Sequence, residues 1–383
     1  MSFAGIKVVD FTTTIAGPHC SRLLADLGAD VIKIEAPDGD MMRTRPPIRG
    51  KSSAMFGQLN VAKRSVVLNL KSPQAVEAAR KLIEGADVVV ENYRPGVMKR
   101  LGLDYDSVKQ INPRLIYCAI SGYGQTGPSA SLPAYAPVVH AASGYDLAHL
   151  SYQPGRTKPD NGGIWIGDVL TGTYAFGAIS AALHHREKTG TGQFIDVSML
   201  ESMLTLTLIE MQAAQFDYTP LARGFAEPLK TKDGYILVAI ASEPTFQAAA
   251  AATDNPGWTT DPRYARYADR RANWHLFLGE LEAWTSSHTT AECVEKFNKH
   301  GVPCAAYRTV AEAMQDPQLV HRGSLFEAQD AAGTFKALNQ PFQMSGDGRR
   351  ISNAAPSLGE HTVEVLKGLG YSDADVSRMS GGA

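Results

Sequence analysis

The sequence predicts an α/β protein built on an open parallel sheet covered by helices, and three observations carry that prediction. Short apolar runs recur along the first third of the chain: GIKVVDF (5–11), DVIKIE (30–35), SVVLNL (65–70), ADVVVEN (86–92) and LIYCAIS (115–121). Segments with helical spacing of apolar residues separate them. Gly and Pro clusters punctuate the joints, as strand–helix–strand alternation requires.

In chain order, TTTIAGP (12–18) breaks the first strand, and HCSRLLADLG (19–28) has helical Leu spacing before the second strand. That unit predicts parallel strands joined by a right-handed crossover. A helix over 72–85 follows the third strand, and short helices around GVMKRLG and DYDSVKQIN precede the fifth. Residues 121–127, SGYGQTG, match the GxGxxG spacing of a dinucleotide site, yet Pro128, Pro133 and Pro137 forbid the continuous helix that such a site needs. An ordered loop lining a site is expected there. Val169 to Leu183 reads as a buried helix, shorter than the ~18 apolar residues that span a bilayer. FIDVSML reads as a strand and ESMLTLTLIEMQAAQF as one amphipathic helix. Composition shifts at Asp217, where a second βα pattern begins: DGYILVAIA, PTFQAAAAA, ANWHLFLGELEAWTSSH, TAECVEKFNKHG and VPCAAYRT. One more helix (310–319), a polar β-like segment (333–346) and a helix near HTVEVLKGLG complete the chain.

At 383 residues the chain exceeds one ordinary core, and roughly 150 residues per domain suggests two domains. A net charge of -2 gives no reason to expect a nucleic-acid partner. Cys20, Cys118, Cys293 and Cys304 lie far apart with no CxxC pair, which suits a reducing cytoplasm better than a disulfide framework or a structural zinc. MSFAGIKVVDF lacks a long apolar core, so no cleaved signal peptide, membrane span or membrane partner is expected. No HExxH or similar spacing appears, and no metal is expected.

Asp168 is the one residue charged at neutral pH between Asp160 and His184, and it stands where a Gly-rich approach meets a helix of small residues. A carboxylate there would be partly desolvated while the helix N-terminus holds its charge, which suits a nucleophile; the competing reading is an ordinary N-cap. Six basic residues and no acidic one lie between Arg43 and Arg64, which serves either an anionic ligand or a solvated loop. His19 and His140 lie nearer the suspected site than the other histidines, but an apolar-flanked His is more often packed than catalytic.

Taken together, VVDFTTTIAGP, LLADLGADVIKIEAPDGD, NVAKRSVVLNLKS, the ENYRPG to GYGQTGP run, Gly167-Asp168, REKTGTGQFIDVSMLES, KDGY and APSLGEHT resemble the class III CoA-transferases, the family of formyl-CoA transferase, carnitine CoA-transferase and α-methylacyl-CoA racemase. The resemblance covers nearly the whole chain. It implies that Asp168 is the nucleophile, forming first an anhydride and then a thioester with CoA. It implies acyl-CoA and a carboxylic acid as substrates, with CoA a co-substrate rather than a tightly bound cofactor. Oxyanion donors are expected among the amides of Gly162, Gly163 and Gly167.

The positions resembling CoA contacts are Thr14, Leu68, Lys71, Asn92, Tyr93 and Arg100. Where relatives place an adenine-stacking Arg this chain has Ala36, so Arg43 is a candidate substitute. Tyr135 occupies the position of the racemase His, and a phenol with a pKa of about 10 is a poor base, which favours a transferase over a racemase. Gly167 and His140 are further substrate-side candidates. Arg156, Lys158 or His140 could pair with a second carboxylate on the acid. The four-glycine run of formyl-CoA transferase is missing from LARGFAEPLKT, which weakens the argument for oxalate or formate. The resemblance also implies a Rossmann-like large domain (1–216), a smaller α/β domain (217–309), a C-terminal return (310–383) and an interlocked homodimer.

Overall fold

A computed structural model describes residues 1–153, 155–217, 227–346 and 352–381. Most of LARGFAEPLKT, residues 221–226, lies outside the described residues. The chain divides into two compact units, Met1–Phe216 with Val320–Ala383, and Asp217–Leu319.

The first unit is built on β1 (Lys7–Asp10), β2 (Asp30–Glu35), a two-residue pair β3 (Ile48–Arg49) and β4 (Ser52–Ser53), then β5 (Arg64–Val67), β6 (Val88–Glu91), β7 (Ile116–Ser121) and β8 (Gln193–Ser198). Six of these form one parallel sheet in the order β5-β2-β1-β6-β7-β8. The central strand β6 is almost entirely valine because both its faces are covered. Val88 and Val90 join a core with Cys20 and Leu24 of helix Ala16–Asp26 and Ala175 and Ile179 of helix Ile166–Thr189. Val89 points the other way, into a core with Ala79 and Ile83 of helix Pro73–Glu84. The strand order reverses between β1 and β6, so their carboxyl ends diverge into helices and leave a crevice, the place where parallel α/β sheets bind ligands.

Helix Ile166–Thr189 has the length and hydropathy of a membrane span, but one stripe of it, from Gly167 and Asp168 to Arg186, is buried in this core. After β8 the expected single helix is broken into Met199–Leu204 and Leu208–Ala213. Thr205 and Thr207 turn their hydroxyls back onto the carbonyls of Ser202 and Leu204, the competition with helix propagation that Thr commonly offers.

The second unit holds a three-stranded antiparallel sheet of β9 (Pro228–Lys230), β10 (Tyr235–Val238) and β11 (Cys304–Ala306) over an aromatic core of Phe246, Trp258, Phe277 and Phe297. The helix expected over 310–319 is two pieces, Val310–Ala313 and Pro317–His321, because Pro317 cannot continue the first. On return to the first unit, the β-like segment forms β13 (Gly333–Leu338), paired with a strand the pattern did not announce, β12 (Leu325–Asp330). Helix Thr362–Gly368 then docks on β5, where the Thr362 hydroxyl accepts the Val67 N–H at 3.0 Å.

The entry to β8 leaves no room for a side chain: a Cβ on Gly192 would stand 2.0 Å from the Leu115 carbonyl oxygen. Gly192→Ala is expected to destabilise the protein by at least ~1–3 kcal/mol, the scale of overpacking. Gly279→Ala, with open space around its helix position, should instead stabilise by up to ~1 kcal/mol. Denaturant midpoints of the two variants check both signs.

Candidate active site

Asp168 is the third residue of helix Ile166–Thr189, whose N-cap is Trp165, and no side chain caps this helix. The N-cap reading of Asp168 therefore fails. The backbone N–H of Ala16, the first residue of a second helix, Ala16–Asp26, lies beside its carboxylate and favours the charged form. Two helix N-termini thus supply the positive ends of their dipoles to one carboxylate. Asp168 is 8% exposed, and burial pushes its pKa from the ordinary 3.8 up to about 6, with the Ala16 amide pulling the other way. The group is desolvated yet still mostly ionised at neutral pH.

The close approach of the helices is built into sequence. A Cβ on Gly172 would lie 2.3 Å from the Ala16 carbonyl oxygen. His19, one turn along, packs on the same glycine, with its Nε2 3.3 Å from the Thr173 hydroxyl. Burial, then Arg22 and Lys63, hold its pKa down to about 4, so it is a neutral packed residue.

The amide of Ala16 is aimed by the preceding turn. Asp10, at the end of β1, accepts the Thr12 N–H at 2.8 Å and its hydroxyl at 2.5 Å, and its other oxygen accepts Ser21 Oγ at 2.6 Å and Lys63 Nζ at 3.0 Å. Asp10 and Lys63 are completely buried. Burial works to raise the Asp10 carboxyl, but Lys63, Lys33 and the two hydroxyls outweigh it and keep it below its usual range. Thr14 then adopts φ 71°, a left-handed conformation that costs a β-branched residue about 1–3 kcal/mol. Neither Lys33 in the middle of β2 nor Asp10 was singled out in the sequence; a lysine inside an apolar strand was the available signal.

The expected CoA contacts fall around the β1/β6 crevice and the end of β5. Asn92 grips the turn directly, accepting the Thr13 N–H and donating to the Thr13 carbonyl, each at 2.8 Å. Tyr93 follows it, half-buried. Lys71 and Arg100 are exposed and, among the described residues, carry no carboxylate partner, so both are open to phosphate. Leu68 is different: it is 1% exposed in the core, and its N–H is spent on the Glu35 carbonyl at 2.9 Å. Arg43 is also committed, with Nε and Nη2 each 2.7 Å from the Glu35 carboxylate and its guanidinium 3.8 Å from the Phe56 ring centre. Of the other basic residues between 43 and 64, Arg49, Lys63 and Arg64 pair with Asp330, Asp10 and Asp30. Arg45 and Lys51 stay exposed.

Among the residues expected on the substrate side, the Gly167 N–H donates to His140 Nε2 at 3.0 Å. That bond requires an unprotonated Nε2, in keeping with burial lowering the His140 pKa. The Gly163 amide is taken by Asn161 Oδ1 at 3.1 Å. Two of the three glycine amides expected as oxyanion donors are therefore already engaged, and the amide found at the carboxylate is that of Ala16. Tyr135 is 63% exposed at the head of helix Ala136–Ala142, which carries His140. Arg156 is partnered by Asp160 at 3.1 Å, while Lys158 is exposed. No group of three or more His, Cys, Asp or Glu able to hold a metal ion occurs among the described residues.

Comparison with known proteins agrees on one family. Residues 3–362 match the model of CoA-transferase family III. The chain is 34% identical to the succinyl-CoA–L-malate CoA-transferase beta subunit of Chloroflexus aurantiacus, over 99% of this chain and 97% of that protein. It is also 34% identical to human succinyl-CoA:glutarate CoA-transferase, over 98% of this chain and 88% of that protein. The crystal structure of a CAIB/BAIF family protein from Brucella suis superposes with a TM-score of 0.85 at 32% identity, covering 96% of this chain and 99% of that one.

A carboxyl whose pKa is raised on folding binds its proton more tightly in the folded state, so it lowers stability as pH rises from about 4 to about 6. Asp168→Asn removes that penalty. The variant is expected to be more stable than the parent at pH 8 by up to roughly 3 kcal/mol, the equivalent of the rise from 3.8 to about 6. The advantage should vanish below pH 4. Thermal melts across pH check it, and an Asn variant less stable at pH 8 would contradict the desolvation account.

Proposed function

This chain belongs to CoA-transferase family III, and on that premise we propose that it moves CoA from an acyl-CoA thioester to a free carboxylic acid with Asp168 as nucleophile. The observation that carries the reading is a buried, still-ionised carboxylate held at two facing helix N-termini.

Stripped of water, the Asp168 carboxylate attacks the thioester carbonyl; the C–S bond breaks, giving a mixed anhydride and CoA thiolate. The thiolate adds to the Asp168 carbonyl of that anhydride, releasing the donor's acid and leaving CoA on Asp168 as a thioester. The acceptor carboxylate attacks this thioester, giving a second anhydride and thiolate again. Attack of thiolate on the acceptor's acyl carbon yields the new acyl-CoA and restores Asp168. No net proton is taken up. Each tetrahedral oxyanion needs a fixed donor, and the Ala16 amide is within reach of Asp168 itself. Burial of the site protects the anhydrides from water.

For CoA, Thr14, Asn92 and Tyr93 line the crevice, Lys71 and Arg100 offer unpaired cations to phosphate, and Leu68 contributes packing under the β5 loop rather than an exposed contact. Arg43 could approach adenine only by giving up Glu35. Both relatives named above pair succinyl-CoA with a dicarboxylic acid, and we assign a dicarboxylate as acceptor here, with Tyr135, Gly167 and His140 shaping its pocket and the exposed Lys158 as the cation for its second carboxylate.

The assembly proposed is the interlocked homodimer of the family, in the cytoplasm, where four free cysteines are at home. Leu208, Ile209 and Phe216 are 67%, 57% and 68% exposed in one stretch, an apolar surface that a second copy would cover.

Incubation with succinyl-CoA followed by hydroxylamine should modify Asp168, seen by peptide mass spectrometry, and Asp168→Ala should lose at least ~10³-fold in kcat. Full activity in that variant would end the reading. Sedimentation should give a dimer, and Ile209→Asp should weaken it; a monomeric parent protein would remove the assembly.

A further inference from the structure

The turn that delivers the Ala16 amide is held by side chains at every backbone polar group between Thr12 and the Thr14 N–H. Asp10 takes the Thr12 N–H at 2.8 Å, and Asn92 takes the Thr13 N–H and carbonyl. The remaining two belong to one buried ion pair. Lys33 Nζ donates to the Thr12 carbonyl at 2.6 Å and lies 3.0 Å from Asp40 Oδ2. Asp40 Oδ1 accepts the Thr14 N–H at 3.3 Å and the Met42 N–H at 2.9 Å. Both side chains are 0% exposed.

We propose that Lys33 and Asp40 are positioning residues, an ion-pair clamp that keeps Thr14 in its left-handed kink and thereby points the Ala16 amide at Asp168. An ion pair so deeply buried is a poor source of stability, since desolvation offsets its attraction, and apolar replacements of such pairs are often neutral. Its hydrogen bonds go to the two ends of a strained three-residue turn, and a β-branched residue keeps a positive φ only where its surroundings over-determine it. Two residues beyond the kink, the chain enters the helix whose first amide meets the carboxylate. Asp10, paired with Lys63, takes the first N–H of the turn and Asn92 holds its middle residue, while Lys33 and Asp40 take the Thr12 carbonyl and the Thr14 N–H. Because Lys33 comes from β2 and Asp40 from the loop after it, the sheet itself sets the direction of the amide.

The kinetic part of this inference rests on Asp168 being the nucleophile. The structural part does not, and the test separates them. Either single substitution strands a buried charge and is expected to fold poorly, so the informative variant is Lys33→Met/Asp40→Asn, which keeps the interior neutral. The clamp predicts a folded protein with native melting behaviour, at least tenfold faster hydrogen exchange at the Ala16 amide and at least tenfold lower kcat. The acid limb of kcat/KM should move to higher pH, because the amide is the group that opposes the raised pKa of Asp168. In a Thr14→Gly background, where a positive φ needs no holding, the same pair of substitutions should cost less than a third as much in kcat, a coupling that a general loss of stability would not produce. Unchanged Ala16 exchange in the folded double variant would overturn the clamp, and faster exchange with kcat and acid limb both at parental values, while Asp168→Ala is inactive, would overturn its positioning role in catalysis. Faster Ala16 exchange together with full activity in Asp168→Ala would instead keep the clamp and sink the nucleophile.

Discussion

One carboxylate must leave water without losing its charge, and the meeting of two helix N-termini at Asp168 is the interaction that allows it. Burial alone would favour the protonated acid, which cannot attack a thioester. Burial raises the pKa to about 6 and the Ala16 main-chain amide opposes that rise, so the group stays mostly ionised at neutral pH. Gly172 is what lets the second helix come close enough to take part, since any side chain there would collide with the Ala16 carbonyl.

The rest of the large unit can be read as support for that meeting. The Ala16 helix follows β1 and the Asp168 helix precedes β8, at opposite sides of the sheet's central strands, yet both belong to the same core layer. Between them the reversal of strand order at β1 and β6 opens the crevice in which Thr14, Asn92 and Tyr93 gather. A proposed CoA site and a proposed nucleophile therefore share one structural element, the turn from Thr12 to Ile15, so thioester and carboxylate would be held by the same short piece of backbone. Buried ion pairs are an expensive way to fix a turn. They have the advantage of direction, because each bond is satisfied in one geometry only.

Basic residues illustrate how charge patterning misleads. Six cations in a row of residues without an acid look like a site for an anion, yet Arg43, Arg49, Lys63 and Arg64 are each satisfied by a carboxylate outside that run. Lys71 and Arg100, both exposed, were legible as candidates from the family resemblance. The helix expected over 201–216 failed for a related reason: side-chain hydroxyls of Thr205 and Thr207 compete locally with the helical ladder, and periodicity does not register that competition.

The sequence by itself determined the strands of the large sheet, their parallel pairing and the isolated position of Asp168, because these depend on local patterns: β-branched runs, helical spacing, and one acid among small residues. Its match to a family fixed the chemistry to expect. Tertiary structure alone decided that Asp168 is no cap, that the main-chain amide beside its carboxylate is that of Ala16, and that Lys33, Asp40, Asp10 and Lys63 are joined in the interior. Those facts concern atoms far apart in the chain, and only the closing of the sheet brings them within bonding distance.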